Sequence, residues 1–149
     1  MATTYTSQAA QSTSPARQVS EAGVHMTAYG EYTLTAAAEL GTINNVIEMV
    51  KVPAGARIVS MTWEIPDNDS GTSFTLDIGD GGDTDRFVAA ATTGQSAGFG
   101  VTSGMVAASA LGYQYTAADT IDFLVHAAPA GSAATSGKIK LIVGYVIGQ

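Results

Sequence analysis

The sequence predicts an all-β protein: a single antiparallel β-sandwich of jelly-roll type, with about seven or eight strands and an extended N-terminal arm. Three observations lead to this class. Short runs alternate apolar and polar residues with a period of two, which is the pattern of a half-buried strand. Segments rich in Pro, Gly, Asp and Ser separate these runs and favour turns. No stretch has the apolar spacing of a convincing amphipathic helix.

The strand pattern recurs along the chain from residue 45 onwards. It lies at residues 45–52, 57–65, 73–79, 86–91, 112–116, 120–127 and 138–147. The second of these segments places Val59 on the same face as Met61, Trp63 and Ile65. The aromatic residues expected in the core are Trp63, Phe74, Phe123 and Tyr145. Residues 32–40 fit either a helical turn or a strand, and residues 92–104 are expected to form a long loop.

The chain is long enough for one domain with a real core. We expect residues 29–149 to form the β-sandwich and residues 1–28 to form the arm. The arm is polar and aperiodic, so it buries too little apolar surface to offset the entropy of ordering. Two interpretations stay open: a flexible tail, or an arm that docks on a neighbouring subunit.

Composition excludes several classes of function. Charged residues make up 13% of the chain, about half the usual share. The six cationic side chains are scattered and the net charge is −7, so we expect no nucleic-acid or membrane partner. Cysteine is absent, which excludes disulfides and thiolate sites. The N-terminus lacks the pattern of a signal peptide. A surface so poor in charge suits a protein covered by partner subunits.

The run LDIGDGGDTDRF at residues 76–87 concentrates four aspartates, Asp77, Asp80, Asp83 and Asp85. A calcium loop is one interpretation, because calcium binds six to eight oxygen ligands. The spacing fails the EF-hand pattern, however, and lacks its closing Glu. Gly and Asp also favour hairpin turns, so we predict a hairpin over residues 79–85 with Asp77 pointing outward. We predict no metal site, although cation binding by these aspartates stays open.

The run GQSAG at residues 94–98 matches the G-x-S-x-G pattern around Ser96. A nucleophile elbow needs a strand before this serine and a helix after it, and the flanking residues fit neither. The two histidines, His25 and His126, fall in the arm and at an outward strand position. We therefore predict no catalytic residues, no cofactor and no enzymatic activity.

Three pieces of the sequence carry a resemblance to a known group of proteins: VPAGARI, DIGDGGDTDRF and TSGKIKLIVGYV. With the strands around them, over about residues 40–147, they resemble small virion proteins of tailed bacteriophages, of the capsid cement or decoration type. These motifs are turn and strand patterns and contain no chemical signature.

The resemblance implies a structural protein that binds the major capsid protein lattice on the capsid exterior and stabilises the head. It further implies a homo-oligomer, with a trimer favoured, made in the bacterial cytoplasm and incorporated into the virion. Two alternatives remain. One is a tail, neck or head-fibre component. The other is a carbohydrate-binding β-sandwich with a calcium loop, which would need exposed aromatic residues.

Overall fold

The structure is a computed structural model that describes residues 2–6, 24–69, 71–102, 110 and 112–147. This part of the chain contains nine strands, one short helix and one 3₁₀ turn. The strands are β1 (Thr4–Thr6), β2 (His25–Thr33), β3 (Val46–Val52), β4 (Ala56–Ile65), β5 (Thr75–Asp80), β6 (Asp83–Ala91), β7 (Gly98–Thr102), β8 (Asp119–Ala127) and β9 (Lys138–Ile147). The helix α1 is Ala38–Gly41, and the 3₁₀ turn is Thr93–Gln95.

Eight of the strands follow the jelly-roll arrangement. One sheet has the order β2-β9-β4-β7, and the other contains β3-β8-β5-β6. Every neighbouring pair among these eight strands is antiparallel. Two four-stranded sheets connected in this order contain the two Greek keys of a jelly roll. The predicted fold class is therefore confirmed.

The ninth strand, β1, extends the second sheet to five strands by pairing in parallel with β3. The Thr3 N–H donates to Asn45 Oδ1 at 2.8 Å, and the Val46 N–H donates to the Thr3 carbonyl at 3.1 Å. The ring of Tyr5 lies 6.3 Å from that of Tyr32. The first residues of the expected arm thus attach to the sandwich of the same chain, while most of the arm lies outside the described residues.

The core lies between the two sheets and is built by the inward residues of both. All four aromatic residues predicted for it, Trp63, Phe74, Phe123 and Tyr145, are buried. Val59 was predicted to face inward and is instead exposed. The reason is a bulge in β4, where the register with β9 shifts between Ile58 and Ser60, so Ile58 takes the buried position.

Three strands were missed in the sequence. β1 and the start of β2 fall in the expected arm, so the sheet begins four residues before the expected boundary at residue 29. β7 falls in the expected loop. Conversely, the strand predicted at 112–116 is a single bridge between Arg57 and Gln114. Residues 32–40 contain the end of β2 followed by helix α1, so the helical interpretation holds for their second half.

Candidate functional site

The aspartate-rich run forms a tight hairpin, as predicted. β5 ends at Asp80, Gly81 and Gly82 make the turn, and β6 begins at Asp83. One carboxylate oxygen of Asp80 accepts the backbone N–H groups of Gly82 at 2.9 Å and Asp83 at 3.0 Å. An aspartate that bonds to the backbone two and three residues later fixes a turn, so Asp80 has a structural role here.

The Asp80 carboxylate is also the centre of a buried ionic network. Arg86 donates through Nε to Oδ2 at 2.6 Å and through Nη2 to Oδ1 at 3.1 Å. The Tyr115 hydroxyl donates to Oδ2 at 2.9 Å, and the Arg86 guanidinium lies 3.8 Å from the centre of the Tyr113 ring. Burial raises the pKa of Asp80, but the hydrogen bonds from Arg86 and Tyr115 outweigh it and hold this pKa below its usual value. Asp80 therefore stays ionised.

Asp77 lies on the outer side of its sheet, opposite Leu124 of β8, as predicted, but it is not exposed to solvent there. Its side chain is buried and accepts the N–H of Ala90 at 2.7 Å and lies 2.7 Å from His126 Nδ1. Ala90 has a positive φ of 52°, which marks a distortion of β6 next to Asp77. The irregular strand thus supplies a donor that covers the carboxylate.

The four aspartates do not converge on one point. Asp77 and Asp80 serve the separate hydrogen-bond sets described above. Asp83 lies 3.8 Å from Arg86, and Asp85 is exposed. Within the described ranges, no group of three or more His, Asp or Glu side chains has the geometry to hold a metal ion. The calcium-loop interpretation has no support from this arrangement.

Ser96 lies in a different setting from a nucleophile elbow. It is exposed, and it follows the 3₁₀ turn and precedes strand β7, whereas an elbow has a strand before the serine and a helix after it. His126 is engaged with Asp77, and the ring of His25 lies over Gly144 on the four-stranded sheet. The structure assigns neither histidine to Ser96 as a general base.

The outer side of the four-stranded sheet carries exposed apolar residues, which we call the apolar face. The exposed fractions are 52% for Tyr29, 73% for Phe99, 59% for Val101 and 42% for Ile142. The pairing register makes them neighbours. Tyr29 lies opposite Ile142, which lies opposite Thr62, which lies opposite Val101. Phe99 lies in the adjacent row, opposite Glu64, so apolar side chains of β2, β7 and β9 form one surface with Thr62 of β4 between them.

Charged side chains in the row beside these residues neutralise one another. Lys138 Nζ lies 2.5 Å from Glu31 Oε1, and Lys140 Nζ lies 2.8 Å from Glu64 Oε2. The hydrogen bond from Lys138 lowers the pKa of Glu31, and the hydrogen bond to Glu64 raises the pKa of Lys140. Each pair joins one formal positive charge to one formal negative charge, so the charges of the four side chains cancel.

A shallow groove of about 860 Å³ runs along the apolar face. Its lining includes Tyr29, Trp63, Pro66, Phe99 and Ile142. The alternation along the strands predicts mostly inward aromatic residues, so this surface was not predicted. The signal was present in the alternation of GFGVT at 98–102, where Phe99 and Val101 lie between glycines, but the glycines favoured a loop.

The outer side of the five-stranded sheet is different, and we call it the carboxylate face because it carries Glu48, Asp77 and Asp122. Glu48 and Asp122 lie directly opposite each other on β3 and β8. Both line a pocket of about 270 Å³ together with Thr4 and Asp80. Asp122 is 9% exposed, and its Oδ1 is buried without a hydrogen-bond partner. Burial, reinforced by the charges of Glu48, Asp119 and Asp80, raises the pKa of Asp122 to about 7.

Comparison with known proteins bears on these surfaces. No protein-family model matches the chain, and no curated protein matches it in sequence. In the described part of the chain, no helix is both long and apolar enough to span a membrane.

Several solved structures share the fold over almost the whole chain. A chain from the capsid of Ralstonia phage GP4 is 26% identical, with a TM-score of 0.79, and the match covers 98% of this chain and 99% of that one. A chain of the cyanophage Pam1 capsid asymmetric unit is 24% identical, with a TM-score of 0.60 and coverage of 93% and 95%. A chain of the acid-stable capsid of Helicobacter pylori bacteriophage KHP30 is 16% identical, with a TM-score of 0.57 and coverage of 87% and 92%. The two more distant matches show the shared fold, and the first supports the resemblance to phage virion proteins.

Proposed function

We propose that this protein is a structural component of a bacteriophage head, a cement protein that binds the major capsid protein lattice on the capsid exterior. The observation that carries this proposal is the likeness to a chain of the Ralstonia phage GP4 capsid along the full length of both chains. The match extends over nearly all of both chains, so it is more than a short motif that the two have in common.

The chemistry of the described residues agrees with a structural role. The aspartates considered as candidate calcium ligands stabilise the fold. Asp80 accepts backbone hydrogen bonds that fix the hairpin, and Asp77 accepts a hydrogen bond from the backbone of β6. The apolar face offers contact area to another protein. Binding of many copies to a repeating lattice needs only weak contacts per copy, since multivalency raises the overall affinity.

We further propose that the protein acts as a homo-oligomer, with a trimer as the favoured state. It would be made in the bacterial cytoplasm and added to the head from outside. The low charged fraction of 13% and the exposed apolar residues support the presence of copy–copy contacts in addition to contacts with the shell.

The test is binding to shells of the phage that encodes this chain, prepared without it. We expect the purified protein to co-sediment with the shells at a saturating stoichiometry and to raise the temperature at which they release DNA or disassemble. Cryo-electron microscopy would place it on the outer surface. Protein that stays in the supernatant, or that binds isolated tails in preference to shells, would overturn the proposal in favour of a tail or neck component.

A further inference from the structure

We propose that the apolar face is the interface between copies of this chain, so its occupant is a second copy of the same protein. This inference rests on the proposed homo-oligomer and adds the surface that forms it. Three properties of the face carry it: its apolar continuity, its charge balance and its shape.

The apolar residues of the face are continuous because the strand register aligns them. Four of the seven large hydrophobic residues that are exposed in the described chain lie here, namely Tyr29, Phe99, Val101 and Ile142. They come from three different strands, so the sequence places apolar side chains outward on β2, β7 and β9 at matching positions. Exposed apolar residues grouped in this way mark interaction sites, whereas isolated ones need no explanation.

Charge favours a second copy as the partner. The chain carries a net charge of −7, so two copies repel one another in most orientations. On the apolar face the charges of Glu31 and Glu64 are cancelled by those of Lys138 and Lys140, so these four described side chains add nothing to the net charge. Two copies that meet through this face bring together neutral surfaces and keep their acidic surfaces apart.

The charged row is also complementary to itself. Glu31, Lys140 and Glu64 lie opposite one another on β2, β9 and β4, so the sign alternates across the sheet. A row of alternating sign offers each acidic group of one copy a lysine of the next copy at a small shift in position. In a homo-oligomer the contacting surfaces come from identical chains, so an interface formed by one face must be complementary to itself. The alternating charges meet this requirement.

The shape of the face permits close approach. Gly144 lies two residues beyond Ile142 on β9, and the ring of His25 and the hydroxyl of Ser60 fill the space above it. The neighbouring side chains Thr62, Val101 and Ile142 are β-branched and suit sheet-on-sheet packing. Two such faces can stack at about 10 Å, as the two sheets of a sandwich do.

The experiment compares two substitutions by light scattering. Ile142→Lys introduces a charge at the centre of the face, and Ile43→Lys introduces the same charge at a residue that is 51% exposed and lies between α1 and β3. We expect the wild type and Ile43→Lys to share one multimeric mass, whereas Ile142→Lys raises the concentration at half dissociation at least tenfold. Phe99→Ser, at the most exposed apolar residue described, gives the same test if Ile142→Lys fails to fold.

The outcomes separate this inference from the proposed function. A monomeric wild type, or face variants with the wild-type mass, would overturn the inference. Face variants that keep the wild-type mass but lose binding to shells would assign the face to the capsid protein, so that the inference fails and the proposed function stands. Dissociation of the face variants, with no binding of the wild type to shells, would support the interface and overturn the cement function.

Discussion

The two outer faces of the sandwich have opposite chemistry although both belong to strands of similar length. The apolar face of the four-stranded sheet exposes Tyr29, Phe99, Val101 and Ile142, and its ionic pairs are exposed and balanced. The carboxylate face of the five-stranded sheet instead bears Asp122 directly opposite Glu48. The apolar face exposes apolar side chains to solvent. The carboxylate face holds the carboxylates of Asp77 and Asp122 in buried positions.

The two faces differ in how well they suit contact with a partner protein. Burying an apolar surface against a partner lowers the free energy by about 25 cal/mol per Å². Burying an unpaired carboxylate raises the free energy, because desolvation penalises the charged form. The apolar face therefore gains from a partner protein, while the carboxylate side depends on partners within the chain, such as Arg86 for Asp80.

We expect the greatest loss of stability when the internal partner of a buried carboxylate is removed. In Arg86→Ala, Asp80 would lose the guanidinium that donates two hydrogen bonds to it while its own side chain remains 1% exposed. We expect a loss of about 3–5 kcal/mol in the free energy of unfolding, since an uncompensated buried charge remains. Urea unfolding followed by tryptophan fluorescence measures it.

The matched control removes a cation from the other face. Lys138→Ala breaks the exposed pair with Glu31, and exposed pairs contribute little because water and salt screen them. We expect its unfolding midpoint to equal that of the wild type. Equal effects of the two substitutions would mean that burial does not distinguish the two sides.

The second prediction concerns the pH dependence of the carboxylate face. The pKa of Asp122 is raised to about 7 in the folded protein, chiefly by burial, above its usual value of 3.8. The folded state therefore favours the protonated acid. This group does not oppose folding below pH 4, and its cost grows as the pH rises from 4 to 7 and is complete above 7. Asp122→Asn should remove this cost, with an upper bound of about 4 kcal/mol at pH 8.

The measurement is thermal unfolding of wild type and Asp122→Asn at pH 5 and pH 8. We expect the variant to gain stability over the wild type at both pH values, with a gain at pH 5 that is less than half the gain at pH 8. Asp85→Asn is the control, because it removes an exposed carboxylate from the same sheet. A variant that is less stable than the wild type at pH 8 would show that the ionised Asp122 is stabilised in the folded state.

The sequence predicted the strands whose alternation is set by the core. In β8, Ile121, Phe123 and Val125 face inward and Asp122 outward, as the period of two requires. The fold class follows from such segments, because an alternating strand must pack one side against a second layer. The alternation also predicts which residues face outward. It does not predict how far those residues are buried, because the side chains of neighbouring strands determine that.

The parts that escaped prediction depend on tertiary partners. Strand β7 contains Gly98 and Gly100, which weaken the intrinsic preference for a strand, and it forms because β4 supplies the pairing. Asp77 is buried because the backbone of Ala90 turns toward it, and nothing in a period of two indicates that donor. Neither effect is encoded in the residue's own neighbourhood along the chain.

The smallest expected effect tests how β7 is held against the apolar side of the sheet. A methyl group at Gly100 would overlap the indole ring of Trp63, which is buried and donates a hydrogen bond to Thr93 at 3.0 Å. Gly100→Ala should therefore cost about 1–3 kcal/mol through overpacking. Since Trp63 is buried, we expect β7 to move away from the ring, which would change the position of Phe99 and weaken self-association.

A matched variant on the same strand separates crowding from a general effect of side chains in β7. At Gly98 the nearest atom to a new methyl carbon is the Ser96 carbonyl oxygen at 3.8 Å, an ordinary contact. Gly98→Ala should leave stability unchanged or raise it slightly, since alanine reduces the entropy of the unfolded chain. If both variants lost the same stability, the close approach of β7 to Trp63 would not be what fixes the edge of the apolar face.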